Sequence, residues 1–152
     1  GAINMSEFIA SLQIHAEDLF LTKEKGLTEG VSTIFLEKLK QLDMFNRPIH
    51  CTDSKRETLY IRENNEWDKD NDRKHIKGAI KNVASKYRKA TGDWLQDHPN
   101  WDKTEKGQKE GLNLVNSVMD DICMDSNENK IIKNIAKEIT IDNKKIIKLN
   151  AE

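Results

Sequence analysis

The chain has 152 residues, 36% hydrophobic and 34% charged, a composition that suits one folded domain with a heavily solvated surface and excludes a disordered chain. Its 25 basic and 26 acidic side chains give a formal net charge of −1, so no global field draws the molecule onto nucleic acid or anionic lipid, and any such attraction must be local. Apolar runs such as Ile34-Phe35-Leu36 are far too short to span a membrane, and Cys51 and Cys123, the only cysteines, sit in no paired spacing, which argues against a disulfide framework and a structural zinc site.

The N-terminus has no basic segment followed by an apolar one, so no secretion signal is read there; Gly1-Ala2 looks like a cloning remnant, which leaves a targeting segment on a longer parent chain open. Ser6 to Leu12 predicts a short helix capped by Ser6, with Phe8 and Leu12 on one face. A second helix over Ala16–Leu21 should end near Lys25-Gly26, where glycine can take a left-handed conformation. From Thr28 to Leu42, Val31, Ile34, Phe35 and Leu42 recur at helical spacing, with Thr28 placed to cap.

Arg47-Pro48 breaks this pattern, since proline lacks an N–H and pushes its predecessor toward extended backbone. Ile49-His50-Cys51 and Thr58 to Ile61 are β-prone and flank the turn-like Asp53-Ser54-Lys55-Arg56; Glu63 to Glu66 offers a second turn, and Trp67 could open a third strand. A long helix follows from about Asp72 to Gln96, where Ile76, Ile80, Val83, Tyr87 and Trp94 share a narrow arc that faces the core. His98-Pro99-Asn100 ends it. Leu112, Val115, Met119, Ile122 and Cys123 mark another amphipathic helix, and the polar break from Asp125 to Glu128 is the one plausible hinge.

Beyond that break, Ile131, Ile132, Ile135 and Ile139 fit a helix, while Thr140 to Ile146 could also turn as a hairpin. The expected fold class is α+β, mainly helical: short N-terminal helices, a small central antiparallel β-hairpin or three-stranded sheet, then long amphipathic helices. Residues 1–125 are expected to form a single globular domain, and 126–152 an isoleucine-rich helix and tail.

The stretch Arg47-Pro48-Ile49-His50-Cys51-Thr52-Asp53, continuing through Lys55-Arg56-Glu57 and Leu59-Tyr60-Ile61 to Trp67, resembles a domain of many uncharacterised giant DNA virus proteins of the mimivirus-like group. Gly26-Leu27, Gly30-Val31-Ser32, Trp94 and the run Ile131 to Glu138 are similar to further landmarks of that family, so the resemblance covers nearly the whole chain. In such proteins the domain often follows a zinc finger, which this chain lacks. The resemblance implies a viral origin and a place in the host cytoplasm (the viral factory) or the virion, but it carries no activity to transfer. The acidic region Asp120-Asp121 to Asp125 and the tail beyond Asp142 depart from the family's pattern.

Three surfaces compete for a function. On the long helix, Arg73, Lys74, Lys77, Lys81, Lys86, Arg88 and Lys89 follow one another with no acidic residue between, and Arg73, Lys77, Lys81 and Arg88 fall on one flank. Such a stripe could neutralise successive phosphates of DNA or RNA; it could equally be an ordinary solvated face whose lysine stems cover apolar surface. Three helices followed by a hairpin also match the order of a winged helix, although Glu29, Glu37, Lys38 and Lys40 make the third helix a mixed surface for a phosphate-facing role.

His50 and Cys51 suggest an activated thiol, but neighbours on a strand point to opposite faces, so Cys51 reads as a buried hydrophobe and His50 as the wetter residue. His50, His75 and His98 match no compact metal-ligand spacing, and Trp67, Trp94 and Trp101 could stack on bases or, more simply, pack. Ile131, Ile132, Ile135 and Ile139 line one face of the last helix; if it projects, that face needs a second copy, a dimer first of all, and if it folds back, it completes the core. The residues thus predict a non-enzymatic self-association or protein-binding module without cofactor or membrane contact, with nucleic-acid binding through the basic helix face as the alternative.

Overall fold

A computed structural model describes residues 1–119 and 125–140. In these the chain forms α1 (Met5–Ser11), α2 (Ala16–Lys25), α3 (Leu27–Gln41), β1 (Ile49–Asp53), β2 (Thr58–Glu63), β3 (Glu66–Lys69), α4 (Lys74–Asp97), α5 (Glu105–Val118) and α6 (Asp125–Ile139). The α+β, mainly helical expectation holds, and the elements come in the expected order.

Several boundaries are set by residues other than those read from the sequence. Asn4, not Ser6, stands at the head of α1, where its backbone N–H donates to Glu7 Oε1, while the Ser6 hydroxyl donates to Glu63 at 2.7 Å and ties α1 to β2. Gly26, at φ +93°, ends α2 and begins α3 in one residue, so Thr28 lies inside the helix it was expected to cap. Asp70 anchors α4: its carboxylate accepts from the backbone N–H groups of His75 at 2.8 Å and Ile76 at 2.9 Å, which no helix carbonyl could satisfy.

The sheet is antiparallel in the order β1-β2-β3. A bulge between Cys51 and Asp53 shifts the register of β1 against β2, and Asn64-Asn65, both at positive φ, make the two-residue turn into β3. Ile49 pairs with Ile61 and Cys51 with Leu59, and these four side chains are buried. They join Phe8 and Ile9 of α1, Val31, Ile34 and Phe35 of α3, and Ile76, Ile80, Val83 and Tyr87 of α4 in one core.

The last helix follows the second of the two courses expected of it, folding back to complete the core. Ile131, Ile132 and Ile135 are 0% exposed and Ile139 is 3% exposed, enclosed by their own chain, because α6 folds back onto α3 and β1 and Thr140 bridges to Cys51 beside the sheet edge. The isoleucine ridge is therefore core and offers no face to a second copy, and the helical part of 126–152 shares the core of 1–125. Cys51 is a buried free thiol. Cys123, the acidic stretch from Asp120 and the tail beyond Thr140 lie outside the described residues, as do the expectations placed on them.

Candidate nucleic-acid interface

The basic residues of the long helix divide into two groups. Three of them work inward. Arg73, itself at φ +58°, pairs with Glu57 of the β1–β2 turn and donates from its other terminal nitrogen to Asn129 Oδ1 of α6 at 3.1 Å, tying three segments together. Arg88 Nε donates to the Val118 carbonyl at 3.1 Å, and Lys86 Nζ donates to the Leu12 carbonyl at 2.8 Å, so each satisfies a carbonyl that the end of α5 or α1 leaves open. The expected stripe therefore loses Arg73 and Arg88 to internal contacts.

Lys74, Lys81 and Lys89 remain fully outward. At 100° per residue they share an arc with Gly78 and Ser85, opposite the buried Ile76, Val83 and Tyr87, and Lys77 lies half-buried on its border. From Lys74 to Lys89 the helix rises about 22 Å. No carboxylate lies on α4 before Asp93, so from Lys74 to Lys81 the exposed arc meets no opposite charge from its own helix, and Asp93, one turn beyond Lys89, is the first.

A second outward surface lies on the sheet, and the sequence reading did not find it. With Ile49, Cys51, Leu59 and Ile61 turned inward, alternation turns His50, Tyr60, Arg62, Trp67 and Lys69 to the other face. His50, Tyr60 and Lys69 form one row across the three strands, and Arg62 and Trp67 form the next. Trp67 reaches over β2 to stack on His50, ring centroids 4.7 Å apart and planes 27° from parallel. His50 is thereby 5% exposed although it points away from the core, and its Nε2 meets no hydrogen-bond partner among the described residues. Burial, with the nearby Arg47 charge second, lowers its pKa to about 4, so the ring is neutral at physiological pH.

The alternation in Thr58-Leu59-Tyr60-Ile61-Arg62 was the available signal for this face, but adding Trp67 and Lys69 to it required the register of β3, which only the turn geometry fixes. Of the acidic residues near the face, Asp53 accepts from the backbone N–H groups of Lys55 and Arg56 and pairs with the Arg56 guanidinium, so its charge is taken up within its own turn.

The other sequence candidates are placed apart. Cys51 and His50 point to opposite faces of β1, as alternation requires, and the thiol is fully enclosed. Among the described residues no group of three or more His, Cys, Asp or Glu side chains could hold a metal ion. Trp94 is clasped between Phe20 and His98, and Trp101 lies against Gly111 at a distance that admits no Cβ there, so both are packing residues. Little in the fold favours the winged-helix use of α3: α2 and α6 flank it, and its exposed positions are Glu29, Glu37, Lys40 and Gln41, with Lys40 paired with Glu138 at 3.1 Å.

Fold and surfaces together define a mainly helical α+β domain with a lysine-lined helix face and an aromatic, basic sheet face. No family model matches the chain, and neither the search of curated proteins nor that of solved structures finds a match.

Proposed function

We propose that the chain is a non-enzymatic nucleic-acid-binding module that holds the sugar-phosphate backbone along the outward face of α4. The observation that carries this reading is the row Lys74, Lys81 and Lys89, exposed over about 22 Å of helix with no carboxylate on that helix before Asp93. A chain of net charge −1 binds a polyanion only where its cations are segregated, and α4 segregates them. The likeness of Arg47 to Trp67 to domains of giant DNA viruses fits the same reading: a module that grips backbone without reading sequence suits a place beside a separate zinc finger in the host cytoplasm. The self-association reading loses its support, since the isoleucines it relied on are enclosed.

The test is fluorescence anisotropy of a labelled 20-base-pair duplex titrated with the full chain across a range of salt concentrations. Three phosphate-contacting lysines give a slope of log affinity against log salt of about −2.7. Replacing Lys74, Lys81 and Lys89 together with glutamine should bring that slope close to zero, with the circular dichroism unchanged because all three side chains are exposed. A triple variant that keeps the original slope would remove the reading.

A further inference from the structure

We infer that the outward face of the sheet is a stacking platform for the unpaired bases of a single-stranded nucleic acid. The inference rests on the reading of the chain as a polynucleotide binder, though not on the lysine row of α4.

The physical case begins with Trp67. Adjacent strands lie about 4.8 Å apart, so an indole rooted on β3 that stacks on a ring rooted on β1 must lie over the intervening strand. One π-face of the indole is taken by His50, and Trp67 remains half-exposed. The neutral state of His50 matters here, because an uncharged ring is an apolar support that leaves the indole's other face available. Tyr60 stands next to it on β2, half-exposed, in the row between His50 and Lys69. Two aromatic rings on the open face of an antiparallel sheet are the arrangement on which successive bases stack.

Charge selects the occupant. Arg62 and Lys69 bracket the two rings, Arg62 held in place by donating to Asn4 Oδ1 at 3.1 Å, and Asp53 is engaged in its own turn. A face with half-exposed π-surface and cations, from which alternation turns the β3 carboxylates Glu66 and Asp68 to the opposite side, complements a ligand that alternates flat rings with phosphates. In a duplex the bases are stacked on one another and their faces are closed, so only an unpaired strand can use this surface.

The experiment titrates the full chain with a 20-nucleotide oligo-dT, its oligo-U counterpart and a 20-base-pair duplex, reading tryptophan fluorescence and anisotropy. The single strands are expected to quench the tryptophan emission, whichever sugar they carry. In Trp67→Phe, which keeps a ring over His50, the quench should vanish while Trp94 and Trp101 still emit. Tyr60→Ala should weaken single-strand binding by about tenfold, the effect of one lost stacking partner, and leave duplex binding as it was. The inference is overturned if the quench survives in Trp67→Phe, if Tyr60→Ala leaves single-strand affinity unchanged, or if it weakens strand and duplex alike. Failure of the α4 reading looks different: the lysine triple variant would then keep its duplex salt slope while the sheet variants still lost the single strand.

Discussion

His50 concentrates several consequences in one side chain. Its folded-state pKa of about 4 lies below the 6.5 of a free imidazole, so between these values the unfolded chain takes up a proton that the folded chain refuses. Stability from this group is complete above pH 6.5 and falls as pH drops toward 4, by about 3 kcal/mol in all. His50→Phe keeps a flat ring beneath Trp67 and removes the titration, so urea unfolding of the variant should show a flatter pH profile between 4 and 6.5; a profile parallel to that of the parent chain would contradict the assignment. The sequence told half of this. Alternation placed His50 and Cys51 on opposite faces, but the outward face was expected to be wet, and it was Trp67, well beyond it in sequence on β3, that covered it. Long-range partners of this kind leave no local periodicity to read.

The helices show where legibility stops. The apolar stripe of α4 was visible because Ile76, Ile80, Val83 and Tyr87 follow the helical period, and all four are buried. Which of its cations face water was not visible, because a lysine or arginine that closes another helix's last turn has the same spacing as one that does not. The α2–α3 joint was equally hidden. Gly30 sits where an added Cβ would clash with Thr22 Oγ1 and stand 3.3 Å from Thr22 Cβ, and the Tyr87 hydroxyl donates to the Gly30 carbonyl at 2.9 Å. Thr22 is fully buried and its hydroxyl donates to the Asp18 carbonyl, so it has little freedom to withdraw. Gly30→Ala should therefore force the two helices apart and cost about 1–3 kcal/mol, despite alanine's better helix propensity. Chemical denaturation measures this directly, and a variant as stable as the parent would mean that α2 and α3 do not approach so closely.

The C-terminal helix decides what kind of molecule this is. Its sequence pattern established one apolar face and said nothing about what covers it, because periodicity describes a helix and not its neighbours. In the fold α6 closes the space between α3 and β1 with Ile131, Ile132, Ile135 and Ile139. Burying each isoleucine contributes about 1.5–3 kcal/mol, so the four together are worth about 6–12 kcal/mol, close to the whole stability of an ordinary domain. Their removal would also bare the surfaces of α3 and β1 that α6 covers, Cys51 beside Thr140 among them. A chain ended at Asn127 is accordingly expected to lose its cooperative thermal transition by circular dichroism and to aggregate, whereas an association element standing outside the fold could be cut away with the transition intact. Retention of that transition in the shortened chain would mean that residues 1–125 are self-sufficient and that the enclosure of the ridge contributes little to holding the molecule together.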